Sequence, residues 1–434
     1  MLDQKWGGLL CAAMVVAFAL WFRMEYNANT IVSEPYRADA GQYFSIAFNI
    51  VNHGVVSVAR PDAKTPTPDS YRGPGYPLLV ALVIATGGED NFYRNLLFMQ
   101  AVVGALSVAV TIAIARYWMG MGFAIAAGAL MAIWPHTVTL AGYILTETFF
   151  GFSLLVGIYL LCRAHSTQKW LGYTFAGFTF SYAALINPVI LIFPVLTAGV
   201  LLFSQRRNAL IFLLCALVIP LAWSLRGVML EESGRSSSSR LVDNVFTGME
   251  PDFDYGQTPE IIAARKRINE GQAAFNHSPM LAIELITKRI AEQPVFYVKW
   301  YLWQKPLRYW QWSIIHGDGD IYVYPVLQSP FYTSTTFRAI SSLCYALNLP
   351  LLLAAVGFVL IFANKALRRN VQDNDFPLLL VTLLFIYATV LHSALTPEPR
   401  YAVPFKAFEV LLAMSLLAAV HRKWRDSKRE EINK

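Results

Sequence analysis

Long apolar runs separated by short polar breaks dominate the chain. Ten of them, at about 6–22, 97–115, 121–135, 147–162, 171–186, 188–203, 209–225, 339–363, 376–394 and 402–420, are read as membrane-spanning helices. A crossing needs roughly 20 mostly apolar residues. The runs are continuous rather than alternating, which excludes a transmembrane β-barrel. The pattern therefore predicts an all-α polytopic membrane protein with about 10 transmembrane helices and further helices beside the membrane. Two apolar stretches stand outside the set. Pro74 to Gly88 is apolar, but at 1.5 Å per residue it reaches only about 22 Å, short of the hydrocarbon core. It is expected to lie in the interface. Val295 to Trp312 interleaves aromatics with Lys299, Lys305 and Arg308, the composition of an interfacial helix with Trp and Tyr at headgroup depth.

Charge orients this arrangement. With the N-terminus inside, the inner connections hold Arg116, Arg163, Lys169, Arg206, Arg207, Lys365 and Arg368, and the C-terminal tail is strongly basic. The short outer connections hold only Arg400. That asymmetry follows the positive-inside rule and places both termini in the cytoplasm. The first run lacks a small-residue cleavage site and reads as a retained span. Three regions result: a membrane module over 1–225 with a long first loop at 23–96, an outer or interfacial region at 226–338, and closing spans over 339–434. Within the outer region, Glu231 to Arg240 contains four consecutive serines and is expected to be mobile. Thr258-Pro259 and Ser278-Pro279 each set an N-cap before a first-turn proline and so start helices.

Overall the chain is 56% hydrophobic and 15% charged, with a net charge of +7. Topology accounts for the basic clusters, so no nucleic-acid partner is expected. Cys11, Cys162, Cys215 and Cys344 all lie in apolar segments without metal-ligand spacing, so neither a disulfide framework nor a zinc site is indicated.

Ionisable groups near membrane depth are costly and point to function. On the outer side they are Asp39 and Arg72 in the first loop, Glu147 at the start of the fourth span, Arg226 after the seventh, and Glu398 and Arg400, with Tyr401, before the tenth. Structural roles compete with each. Asp39 fits a cap for a helix from Gly41 to Asn52, Glu147 a first-turn acid favoured by the helix dipole, and Arg226 a side chain snorkelling to the interface. Lys406 and Glu409, one turn apart in the last span, fit mutual neutralisation. His136 and His392 are expected at the interface rather than as ligands.

Taken together these stretches resemble a known family. Asp39-Ala40-Gly41-Gln42-Tyr43 is similar to the first-loop acidic motif of the lipid-dependent membrane glycosyltransferases of the GT-C superfamily, near glycosyltransferase family 39. Pro74-Gly75-Tyr76-Pro77 resembles their Pro-rich juxtamembrane helix, and Thr146-Glu147-Thr148 the acidic start of the fourth span. Pro220 to Arg226 is similar to a Pro-Trp-x-x-Arg ending with two residues inserted, and Pro397-Glu398-Pro399-Arg400-Tyr401 with Pro404 resembles the C-terminal Arg-Tyr motif. Position 40 is Ala where protein O-mannosyltransferases and lipid A aminoarabinose transferases carry a second acid, and Arg72 stands where the latter have Lys. Their acceptor class is not carried over.

The resemblance implies the GT-C fold with periplasmic juxtamembrane helices, in a bacterial inner membrane. It also implies an inverting transferase that moves a sugar from a polyprenyl-phosphate donor to a lipid, glycan or protein acceptor at the outer face. Asp39 would be the general base and Glu147 would orient the acceptor or Asp39. Arg72, Arg226 or Arg400 would hold the donor phosphate, and Tyr43, Tyr401 and Glu398 would contact substrate. No metal or cofactor is expected, because an organic phosphate already leaves well. A transporter or lipid flippase is the competing reading; it would need a polar path through several spans.

Overall fold

The computed structural model describes residues 2–230, 237–251, 253, 254, 256–315, 320–368, 370 and 372–432. The serine-rich opening at 231–236 lies outside them, and from Ser237 the chain is helical.

Nearly every apolar run is a helix. Phe92–Ala115 packs against Leu2–Ala28 on one side and Glu147–Thr167 on the other; the row continues through Trp170–Ile186 to Arg206–Met229. At the other flank Met121–Ile133 touches Leu2–Ala28 and the last helix, Lys406–Ile432, which packs along Thr335–Leu367. One apolar cluster, from Ala19 to Met414, runs through the whole bundle.

Span number differs from the expected ten. Among the described residues seven helices are long and apolar enough to cross a membrane, or eight if Met121–Ile133 and Pro135–Gly142, bent by 57°, make one broken span. The break falls at Trp134-Pro135, where the proline has no N–H to continue the ladder. The fully buried Arg23 guanidinium donates to the carbonyls of Met131 and Ala132 freed there, at 3.2 and 3.1 Å. The other expected spans are short: Trp170–Ile186 has 17 residues and Pro188–Leu202 is an apolar helix of sub-crossing length. Gly75–Gly87, expected beside the membrane, is a 13-residue helix packed on Ala38–His53.

A polar lobe is built from Ser237–Gly248, Pro259–His277 and Pro279–Glu292. The two expected caps are present: the Thr258 and Ser278 hydroxyls accept from Ile261 N and Met280 N. Phe246, Met249, Ile268 and Ala282 form the lobe's core, and the buried Glu250 carboxylate is gripped by Arg267 and Arg289.

The expected interfacial helix is observed as Pro294–Lys299 and Lys305–Tyr309 joined by a π-helical turn. Leu302 and Trp303 are 75% and 70% exposed. Trp300, Tyr309 and Trp310 are instead buried in protein, and so is Lys305. Lys305 Nζ donates to Leu395 O at 2.7 Å, Trp300 Nε1 to Gly248 O at 2.9 Å, and Thr396 Oγ1 to Asn244 O at 2.9 Å. These bonds stitch the lobe to the segment that precedes Arg400. A two-stranded antiparallel pair, Ile31–Val32 with Val326–Gln328, ties the start of the first loop to the chain that precedes Pro330.

His136 and His392 are buried, not interfacial. His136 packs edge-on against Trp312 and His392 stacks on Tyr309. Lys406 and Glu409 do pair, at 2.8 Å, and Asn348 accepts a further bond from Lys406.

Candidate active site

Asp39 lies in the first turn of Ala38–His53. No side chain caps this helix, so its acid is not used as an N-cap. Ala38 has φ +50°, a left-handed conformation costing a Cβ-bearing residue about 1 kcal/mol. The chain turns sharply there, and Gly41 passes so close to Tyr36 O that a Cβ would collide with it. Arg72 comes from the other end of the loop. The Asp69 carboxylate fixes that end by accepting from Val58 N and Tyr71 N at 2.7 and 3.1 Å. Gly73 then slides past the backbone of Leu185, where no side chain fits.

Four charges from four separate elements join in a row. Arg72 binds Asp39 directly. Arg400 Nη2 lies 3.3 Å from the other Asp39 oxygen, and its Nε donates to Glu147. Arg72 is held in place by Gln42 at 2.7 Å and by the Tyr43 hydroxyl at 3.3 Å. Arg400 follows from a 3₁₀ segment, Pro399–Phe405, whose Arg400 N–H donates to Ile314 O at 3.1 Å. Glu147 opens the helix Glu147–Thr167, so the positive end of that helix also favours its negative charge.

Three members of the row face a cavity of about 500 Å³. Asp39, Arg72, Glu398, Arg400 and Tyr401 line it. Glu147 sits behind Arg400, against a separate small pocket that reaches Arg23. Tyr43 lies beneath Arg72, with the guanidinium 5.1 Å above its ring. Burial alone would push the Asp39 carboxyl up, but Arg400 and Arg72 outweigh it and hold it at about 2.

Arg226 is not brought to this group. Its guanidinium donates to Asp69 O at 2.9 Å and stacks 4.5 Å from the Trp223 ring, so it supports the first loop from outside the cavity. Sequence reasoning missed others. Arg37, Tyr71, Arg240, Arg265 and Tyr324 also line the cavity. Arg240 and Arg265 lie in helices whose sequence gives no membrane signal, whereas Arg37 directly precedes the acidic motif.

No protein-family model and no curated protein matches the chain. Among solved structures, the apo oligosaccharyltransferase of Archaeoglobus fulgidus aligns over 99% of this chain and 52% of its own, with TM-score 0.54 and 13% identity. The same organism's AglB, bound to an inhibitory peptide and a dolichol-phosphate, aligns over 98% and 52% with TM-score 0.51 and 13% identity. The chain has the GT-C fold. At this identity the likeness speaks for the fold, and the chain spans about half the length of those oligosaccharyltransferases. ArnT from Cupriavidus metallidurans, bound to undecaprenyl phosphate, aligns more loosely, with TM-score 0.44 and 14% identity over 93% of this chain. A multi-pass membrane protein follows from the GT-C fold and the apolar helices together.

Proposed function

We propose that this protein is an inverting glycosyltransferase that uses a polyprenyl-phosphate-linked sugar and works at the outer face of a bacterial inner membrane. The row Arg72–Asp39–Arg400, which lines the cavity and is backed by Glu147, carries the reading. It supplies a carboxylate and two guanidinium groups within one side-chain length, which is the set this chemistry needs.

In the scheme the acceptor O–H attacks the anomeric carbon from the face opposite the phosphate. A C–O bond forms there as the bond to the phosphate oxygen breaks, and the electron pair leaves with the polyprenyl phosphate. Asp39 takes the acceptor proton. Arg72 and Arg400 take the phosphate charge, since a guanidinium fork matches phosphate geometry. Those arginines also hold Asp39 at about 2 in the resting site. As donor phosphate takes up their charge, the carboxylate becomes a stronger base at the moment it is needed. Glu147 keeps Arg400 in place from behind. Arg400 already provides a cation between two carboxylates, so the scheme uses no divalent ion. Glu398 and Tyr401, on the cavity wall, would contact sugar or acceptor.

The test is to incubate the purified protein with polyprenyl-phosphate sugars and cell-envelope fractions and to follow products by mass spectrometry. A sugar-modified acceptor with inverted anomeric configuration is expected. Substrate crossing the membrane without any covalent product would instead support a transporter.

A further inference from the structure

The wall of the cavity above the Asp39 row is more basic than transfer from a lipid phosphate requires. Arg37, Arg240 and Arg265 line it in addition to Arg72 and Arg400. None of the three forms an ion pair among the described residues. Each is positioned by weak contacts. Arg37 sits 5.6 Å from the Tyr324 ring. Arg240 sits 5.5 Å from the Tyr71 ring and donates to Tyr71 O at 3.5 Å. Arg265 donates to Gly256 O at 3.2 Å. A guanidinium carries five N–H donors, so these contacts leave most of them unused. The acids on the same wall are fewer: Asp39 is bound to two arginines, Asp243 accepts from Gln272 at 2.7 Å, and Glu398 lies near Arg400 in sequence.

Position sets Arg265, on the lobe side of this wall, apart from the donor site. Arg265 and Asn269 also line a broad open groove of about 660 Å³ on the helix Pro259–His277, together with Lys266 and Gln257. Among the described residues that helix packs chiefly on its two neighbours in the polar lobe. Glu270, the one acid on the groove, is engaged by Arg289 at 3.6 Å. A lipid-anchored donor approaches from the apolar bundle, whereas a molecule from water approaches past the lobe.

We propose that Arg37, Arg240 and Arg265 form a second anion-binding subsite, and that the acceptor is acidic, bearing phosphate or carboxylate groups. The acceptor half of this proposal rests on the glycosyl-transfer reading above. Basic side chains at a cleft mouth raise the local concentration of such a substrate, and confined guanidinium groups then fix its register.

The experiment uses the full chain in neutral-lipid nanodiscs and two soluble probes, inorganic pyrophosphate and a trigalacturonate, with a short-chain polyprenyl phosphate as the donor-site ligand. At least one probe is expected to bind, and to keep binding when polyprenyl phosphate is saturating. The tighter probe tells phosphate from carboxylate. The double variant Arg37→Gln, Arg265→Gln should weaken probe binding about tenfold or more, from the loss of charge-assisted bonds. Its polyprenyl-phosphate binding should stay within about twofold, which also verifies folding. Displacement of the probe by polyprenyl phosphate, an unchanged double variant, or no binding of either probe would each overturn the subsite. A probe that binds where polyprenyl phosphate does not would uphold the subsite while sinking the donor reading.

Discussion

Asp39 is ionised well below the ordinary carboxylate range because two arginines face it. Its pairing therefore stabilises the fold fully above about pH 4, the unfolded value, and that contribution is lost as pH falls toward 2. In the free enzyme, kcat/KM should accordingly show no acid limb from Asp39 above about pH 4, while the limb in kcat, which reports the donor complex, should lie higher. A pH series on wild type and Arg400→Gln checks this; the variant's kcat/KM limb should move up toward the kcat limb. Asp39→Asn should lower transfer by about 10²–10⁴ with the fold retained. Wild-type turnover in that variant would move the base role to Glu147. Arg400→Ala should weaken donor KM by about tenfold or more, as charge-assisted bonds contribute roughly 1.5–3 kcal/mol each. Arg400→Lys should recover only part of it, since an ammonium cannot bridge two oxygens. Donor and acceptor kinetics on both variants decide. Four members of the row were legible because ionisable groups beside apolar segments are costly enough to point to function. Arg240 was not, because a cation in a serine-rich polar stretch looks like any solvated side chain. Arg226 was misplaced for the converse reason: its position at a helix end said nothing of the Asp69 carbonyl waiting beside it.

Among the elements, the helix around Lys305 behaves unlike its composition. Lys305 is buried, and desolvation, with Arg308 beside it, lowers its ammonium to about 7. The folded protein then holds fewer protons there than the unfolded chain between about pH 7 and the ordinary lysine value of about 10.4. Stability from this site is full above that upper value and is lost as pH falls toward 7. Thermal unfolding of detergent-solubilised Lys305→Met across this window should show a flatter profile than wild type and a higher midpoint near neutrality. An unchanged slope would mean that Lys305 stays protonated in the fold. Its alternation with aromatics suggested headgroups because a sequence shows periodicity but not what packs opposite, here Leu395 O at 2.7 Å. The same limit governs the span count. Apolar runs mark helices well, whereas a bend such as that at Trp134-Pro135 depends on a partner, Arg23, lying far away in sequence.

At the scale of the whole molecule the orientation is testable. Lys288 on the lobe and Arg422 in the tail are both exposed. With Cys11 replaced, Lys288→Cys should react with a membrane-impermeant thiol reagent in intact spheroplasts, and Arg422→Cys only after permeabilisation. The reverse pattern would put the cavity on the wrong side for a lipid-linked donor. The row of charges has one more consequence, for the order of events during synthesis. Asp39 belongs to the first loop to emerge, while Arg400 precedes the last span. The strand Ile31–Val32 likewise waits for Val326–Gln328. A ribosome-bound chain thus presents a carboxylate without its second cation and a first strand without its partner. On the proposed reaction, transfer therefore waits until the segment that carries Arg400 has been made and has reached Asp39.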